Sequence, residues 1–277
     1  MRRPAYVKLW FAISLFAISA SRVWAADGEF DNAKWKIQAN GWISRPTGYF
    51  NGNGGNGYFD LERDFGFGDY ATFNWKLDWR FKRKHHLLFG GTPVVSSRST
   101  TLTRTIVWQG QTFDLGARTN ADVKSLIFSP GYQFDFFRKQ HGSLGLLVDC
   151  NLAWTDAKLK VVGAASGSGG AASGSASANG SLFAPLPAIG PTFRWYPLPD
   201  SNRLYLDGTI TGMSFFGYGN FVSGNALLGF PIRQHWDAHA GYLLGSRLKI
   251  SESSNNIAIR LTQKGPVFGI EYHWGTR

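Results

Sequence analysis

The sequence contains a single cysteine, Cys150, among its 277 residues. One thiol cannot form an intramolecular disulfide, so covalent cross-links do not hold this fold together. Cysteine and histidine spacings typical of metal sites are also missing, and we predict neither a metal ion nor a cofactor. Cys150 falls on the apolar face of a predicted strand, which indicates a small hydrophobic residue rather than a reactive thiol.

Long hydrophobic runs are missing as well, except for one near the N-terminus. Leu9–Ala20 is apolar but too short to cross a bilayer as a helix, and no later segment reaches about 18 uninterrupted apolar residues. Basic residues precede this run and small residues around Ala25 follow it, as in a secretory signal peptide. We predict cleavage after Ala25, with an uncleaved anchor as the alternative. The predicted organisation is thus a signal peptide over 1–25 and one domain over 26–277.

An exported membrane protein without membrane helices must cross the bilayer as a closed sheet, because lipid leaves unpaired backbone groups without partners. The stretch Tyr70–Lys82 has the pattern that such a sheet requires, with apolar and polar residues in alternation. This period of two predicts a strand with one apolar and one polar face. Large lipid-facing side chains are predicted at Phe73, Trp75, Leu77, Trp79 and Phe81. Taken alone, this strand is equally compatible with a soluble β-sheet.

The same alternation recurs along the chain and predicts about ten strands, within a range of eight to twelve. Long connections are predicted on one side of the sheet, at 45–69, 161–181 and 251–255. Short turns are predicted on the other side, at 82–86, 138–142, 197–202 and 233–236. Long loops outside and short turns inside are typical of outer-membrane barrels. The predicted fold is therefore all-β, an antiparallel transmembrane β-barrel with long extracellular loops and short periplasmic turns.

Two details of this prediction depend on composition and on phase. Residues 161–181 are mostly alanine, glycine and serine without a charged residue, which favours a flexible loop. The apolar phase changes near Ser125–Leu126 and again near Lys264–Gly265, and we expect a β-bulge at each position.

The end of the last predicted strand resembles the C-terminal assembly signal of bacterial outer-membrane barrels. Gly269, Tyr272 and Trp274 follow its spacing of a glycine, two residues, an aromatic, one residue and a final aromatic. The sequence departs from that signal at Val267, where a polar residue is usual, and in the three residues after Trp274. The resemblance implies a small single-chain barrel in the outer membrane of a Gram-negative bacterium, inserted by the barrel-assembly machinery.

The chain is basic, with a net charge of +11 that falls to +7 once the four cations of the signal segment are removed. These cations are scattered along strands and turns of an exported chain, so we do not expect a nucleic-acid partner. The expected partners are outer-membrane lipids and lipopolysaccharide, whose anionic surface suits scattered lysines and arginines.

The polar faces of the predicted strands carry charged side chains that should meet inside the barrel, mostly near the short turns. These predicted lumen residues are Lys76, Asp78, Arg80, Asp149, Arg194, Asp207, His239, Arg247, Arg260 and Glu271. A network of paired charges that fills a narrow interior is the first interpretation, because pairing reduces the cost of burying each charge. A path for a small ion or solute and an enzyme site are the alternatives.

The histidines after the signal segment lie in predicted short turns or near inner strand ends. No Ser/His nucleophile pair is therefore predicted at the outer rim, and we predict no catalytic residue. The predicted function is a narrow, porin-like pore or a non-catalytic surface protein. Ligand binding or adhesion through the long loops is the second class. A lipid-modifying enzyme or protease is the third, and it would depend on His239.

Overall fold

The structure is a computed structural model, and it describes residues 33–51, 59–108, 111–113, 115–139, 141–167, 170–197, 204–215, 219–252 and 257–276. The predicted signal peptide lies outside these residues. Regular structure in the described ranges is all β. They contain no helix that is long and apolar enough to cross a membrane.

Ten long strands form the wall of the molecule. They are β1 (Ala33–Asn51), β2 (Tyr70–Lys82), β3 (His85–Thr101), β4 (Arg118–Lys139), β5 (Gly142–Gly167), β6 (Gly170–Trp195), β7 (Tyr205–Phe215), β8 (Gly219–Arg233), β9 (Trp236–Glu252) and β10 (Ile257–Thr276). Each strand pairs antiparallel with the next one in sequence. β10 also pairs with β1, from Ala33 opposite Thr276 to Asn51 opposite Ala258, so the sheet is a closed barrel. The predicted antiparallel barrel and its strand count are confirmed.

The long connections differ from the prediction in two places. β1 continues through Asn51 instead of ending near Arg45, because β10 supplies backbone partners along its whole length. Residues 161–167 and 170–181 are strand rather than a flexible loop, which corrects that prediction. They extend the β5–β6 hairpin, with Gly167 opposite Gly170 near the tip. Small side chains do not prevent pairing when the facing strand satisfies the backbone donors and acceptors.

The outward face of the barrel carries a belt of exposed apolar side chains. Leu126, Phe230 and Phe268 expose 49%, 48% and 56% of their surface. The predicted residues Phe73, Trp75, Leu77, Trp79 and Phe81 also lie on this outward face of β2, where Phe73 is 46% exposed. A belt of this kind is unfavourable in water and favourable against lipid.

A row of aromatic rings lines the edge of this belt near the short turns. Trp35 stacks on Trp79 with ring centroids 5.2 Å apart and on Trp274 at 6.1 Å. Tyr272 lies 5.4 Å from Trp274 and 4.7 Å from Trp236. The row therefore crosses from β2 to β9, as in the aromatic girdle at a membrane interface. Two aromatics of the predicted assembly signal belong to it.

The two faces of β4 exchange character near Lys124. Toward the short turns, Leu126 is exposed to lipid, whereas above it Asp122 and Lys124 are exposed and Ala121 is buried inside. Pairing with β3 and β5 is continuous through this region, so the bulge predicted near Ser125–Leu126 is wrong. The pattern inverts because the strand leaves the bilayer: water then contacts its outward face, and apolar side chains pack inside.

The bulge predicted near Lys264–Gly265 of β10 lies instead on the neighbouring strand, β9. β10 keeps its register with β1 on both sides of Lys264. The irregularity falls on β9, between Leu244 and Ser246, directly opposite Lys264 and Gln263. The extra residue there is Gly245, where an added Cβ would come within 2.3 Å of the Trp42 ring.

Several aromatic rings lie across a glycine of the neighbouring strand. Trp75 is the register partner of Gly91, and Tyr205 is that of Gly229. A Cβ added at Gly229 would lie 2.1 Å from the Tyr205 ring, and one at Gly91 would lie 2.5 Å from the Trp75 ring. These glycines make room for rings that cover the sheet backbone, an arrangement that fixes register in β-proteins.

A candidate functional site in the lumen

An ion-pair network crosses the lumen near the short turns. Arg194 on β6 donates from both terminal nitrogens to the two carboxylate oxygens of Glu271 on β10, at 2.9 Å each. Its Nε donates to Asp207 on β7, also at 2.9 Å. The Tyr205 ring lies 4.4 Å from the guanidinium carbon, and Gln38 Nε2 donates to Glu271 at 2.6 Å. Because β6 and β10 are on different sides of the barrel, this bridge obstructs the passage.

A second network follows the wall next to it. His86 on β3 contacts Asp78 through Nδ1 at 2.8 Å and Asp135 on β4 through Nε2 at 3.2 Å. Arg138 and Gln133 donate to Asp135 at 2.9 Å and 2.7 Å. Each buried charge in this network therefore has a partner, which lowers the cost of removing it from water.

A cavity of about 190 Å³ lies inside the barrel beyond these networks. Its wall is rich in carboxamide and hydroxyl side chains, with Lys76 and Asp149 as the charged residues among the described lining. Trp42, Leu227 and Val267 are buried together and form an apolar part of the wall. The cavity thus has a mixed lining, in which polar groups stand among apolar side chains, and it suits a small solute or water.

Residues 59–69, before β2, form a cap that covers part of the outer mouth. Phe65 and Phe67 are buried against Leu102 and Ala117 of the β3–β4 connection and against apolar residues of β4 and β5. The cap is clamped by an ion pair in which Arg104 donates to both carboxylate oxygens of Asp64, at 3.1 Å and 2.5 Å.

Asp60 organises the turn within this cap. Its carboxylate accepts the amides of Glu62 and Arg63 at 3.0 Å and 2.8 Å, while its own amide donates to Asp64 Oδ2 at 2.8 Å. Burial alone would raise the pKa of Asp64. Hydrogen bonds from Arg104 and the Asp60 amide, with the charges of Arg104 and Arg63, outweigh burial and hold that pKa below its usual value.

Comparison with solved structures identifies the architecture. The outer-membrane protease OmpT from Escherichia coli has a TM-score of 0.57 at 10% identity, over 87% of this chain and 96% of OmpT. The toluene transporter TodX from P. putida has a TM-score of 0.40 at 6% identity, over 90% and 92%. The transport unit of the autotransporter AIDA-I from Escherichia coli has 0.39 at 10% identity, over 87% and 90%. No protein-family model and no curated protein matches the sequence.

The fold is that of a bacterial outer-membrane β-barrel. At sequence identities this low, the similarity shows a shared fold and does not show a shared function. Together with the exposed apolar belt, this fold places the protein in the bacterial outer membrane, as predicted.

The structure brings most of the predicted lumen residues of this outer-membrane barrel into the networks or the cavity. Those that line the cavity or the ion-pair region are Lys76, Asp78, Asp149, Arg194, Asp207 and Glu271. Arg80 and His239 are buried, and His239 Nε2 lies 2.5 Å from Asn40 Oδ1. Arg247 and Arg260 lie elsewhere. Both are exposed near the outer ends of β9 and β10, on the side where the outward face is polar.

Sequence reasoning missed several lumen residues. Lys36, Gln38 and Asn40 are buried on β1, and Asp135 and Arg138 are buried at the inner end of β4. The alternation on β1 contained the signal for the first three, because they occupy the face opposite Trp35. Asp135 was hidden by the register shift between Asp135 and Phe137, which disturbs the period of two.

One set of side chains within the described ranges could hold a metal ion. Ligand atoms of Asp237, Glu271 and His273 all lie within 4.8 Å of one another. Arg194 already binds both oxygens of Glu271, however, and a cation would have to share that carboxylate with it. We therefore interpret the set as part of the charge network.

Proposed function

We propose that this barrel is a narrow pore for small polar solutes and ions. The observation that supports this most is a cavity of about 190 Å³ with carboxamide, hydroxyl and charged groups in its wall, between the Arg194 bridge on one side and the Phe65–Phe67 cap on the other. A barrel of about ten strands has an interior that side chains can largely fill, whereas porin-sized channels belong to barrels of roughly 16–18 strands. The expected pore is therefore low in conductance.

Solute entry into proteoliposomes tests this proposal. Vesicles containing the refolded barrel should admit a solute of glycerol size and exclude a disaccharide, while vesicles without protein admit neither on the same timescale. If the barrel admits no solute even after the Arg194 bridge is removed, the pore proposal is wrong.

Loop-mediated binding is a second candidate, favoured by the β5–β6 hairpin. Each of its strands has 26 residues, compared with 11 in β7, and β7 pairs with β6 only as far as Ile189. Beyond Ile189, β6 therefore offers an edge that no strand of the described residues pairs, and such an edge can receive a partner. Loss of surface binding on deletion of 163–180, with solute entry unchanged, would support this role.

We also propose that lipopolysaccharide contacts the wall above the apolar belt. Lys124, Lys158 and Lys160 are exposed on β4 and β5 just beyond the level where the outward face becomes polar. Lys124 is in register with Asp156, and Lys158 with Asp122, which leaves Lys160 opposite an uncharged residue. Neutralising Lys160 should weaken copurification of anionic lipid.

A further inference from the structure

The cavity contains one charge of each sign, Lys76 and Asp149, which attract each other without a direct hydrogen bond or ion pair. Among the described residues, Lys76 makes no hydrogen bond or ion pair, and Asp149 Oδ1 is buried without a hydrogen-bond partner. Asn151 Nδ2 and Asn225 Oδ1, on the same cavity wall, are also buried without partners. Buried polar atoms in folded proteins are nearly always paired, so the three atoms of Asp149, Asn151 and Asn225 indicate a guest in the cavity.

The neighbouring charges are already paired. Asp78 contacts His86, and Glu271 and Asp207 accept hydrogen bonds from Arg194. The guest must therefore offer its own partner to Lys76 and to Asp149 separately. A lone anion would pair with Lys76 but repel the Asp149 carboxylate, and a lone cation would pair with Asp149 but repel the Lys76 ammonium. Leaving one buried charge unpaired in this way is costly.

The available volume limits the guest further. At about 190 Å³ the cavity is smaller than the roughly 300–1,000 Å³ typical of pockets for drug-sized ligands, which favours a small guest. The remaining polar wall supplies hydrogen bonds but no further charge in its described lining.

From these observations we infer that the lumen cavity is a binding site for a small zwitterion of the amino-acid type. Its carboxylate lies beside Lys76, and its ammonium lies beside Asp149 and the Asn225 carbonyl. This inference deepens the proposed pore, since it names the solute class that the passage accepts.

Binding and passage are measured separately to test it. The refolded barrel is studied at pH 7.5 with four probes of similar size: glycine, glycerol, acetate and methylammonium. Saturation-transfer NMR reports binding, and uptake of labelled probe into proteoliposomes reports passage. The unmodified barrel should bind glycine in preference to the other three and take it up in a saturable manner.

The decisive variant is the double substitution Lys76→Met with Asp149→Asn. It removes both charges together, so neither is left uncompensated and the barrel should still fold, as a heat-modifiable band will show. Its glycine signal should fall at least tenfold, with the glycerol signal unchanged. The matched control, Lys124→Met, changes an exposed lysine outside the barrel and should bind glycine normally.

The outcomes separate the two proposals. Glycine binding without uptake would support the zwitterion site and contradict the proposed pore. If glycine and glycerol are taken up equally and the double substitution does not change their uptake, the pore proposal is supported and the zwitterion site is overturned. Glycine binding no stronger than that of glycerol in the unmodified barrel means that the cavity holds water alone, which also overturns it.

Discussion

Arg194 and Glu271, 77 positions apart in the sequence, share two parallel hydrogen bonds of 2.9 Å across the barrel lumen. Both side chains are largely buried, at 10% and 1% exposure. Arg194→Ala should lower the free energy of unfolding by about 3–5 kcal/mol, because Glu271 and Asp207 then lack their cation. Urea titration of the barrel in lipid vesicles measures this loss.

The control for this variant is Arg247→Ala, which truncates an exposed arginine of β9. It should change stability by no more than about 0.5 kcal/mol. Equal destabilisation by the two substitutions would contradict the bridge as a stabilising contact.

Leu77 tests the lipid-facing side of β2. Leu77→Arg should cost about 2–4 kcal/mol if the side chain lies near the bilayer midplane. Val95→Arg is the matched control, since Val95 is 71% exposed and is in register with the exposed Lys124 above the belt. The same refolding titration should find the control nearly neutral. A cost at Val95 as large as that at Leu77 would mean that the membrane boundary is misplaced.

The sequence predicted the class of fold because a membrane barrel constrains the period of its strands so strongly. Inside the bilayer, strands such as β2 must alternate between lipid and lumen, and they do. The prediction failed where the outward face of the sheet passes from lipid into water. Near Lys124 the outward face meets water, so the apolar phase inverts without any bulge. A single sequence does not mark where the bilayer ends, and the inversion resembles a register error.

The candidate site was predictable only in part. Charge and strand phase predict lumen positions for Arg194, Asp207 and Glu271. The strand phase placed Arg260 in the lumen. Arg260 instead lies beyond the membrane boundary, where the polar residues of β10 face outward. The cap was not predictable from pattern, since Phe65 and Phe67 occupy a connection without regular alternation, and only tertiary contacts with residues such as Leu102 bury them.

Gly229 provides a test of the ring-over-glycine arrangement. Gly229→Ala would place a Cβ 2.1 Å from the Tyr205 ring, which is 1% exposed and has little room to move. Overpacking of this kind should cost about 1–3 kcal/mol and displace the ring from Arg194. Gly68→Ala serves as the control, because a Cβ there meets no atom within 4 Å. Identical unfolding curves for the two variants would argue against close packing at Gly229.

The outer cap should depend on pH through Asp64. The pKa of this carboxyl is held below its usual value in the folded cap. Its stabilising effect is therefore present above the unfolded pKa of about 3.9 and is lost as the pH falls through the folded pKa. Protection of the Phe67 and Leu102 amides against hydrogen exchange, corrected for intrinsic rates, should decrease below about pH 4.

Asp64→Asn should reduce this protection already at neutral pH and remove most of its pH dependence. Asp122→Asn, on the exposed outward face of β4, should leave both unchanged. A cap whose protection stays constant down to pH 3 in the unmodified protein would contradict the clamp.

Single-channel recording in planar bilayers tests the central claim, a narrow passage obstructed at two levels. The unmodified barrel should show low or intermittent conductance. Arg194→Ala and Arg104→Ala should each raise it, because one shortens the bridge and the other releases the cap, and the double variant should conduct most steadily. Large, steady conductance in the unmodified barrel, or silence in all four proteins, would contradict the account.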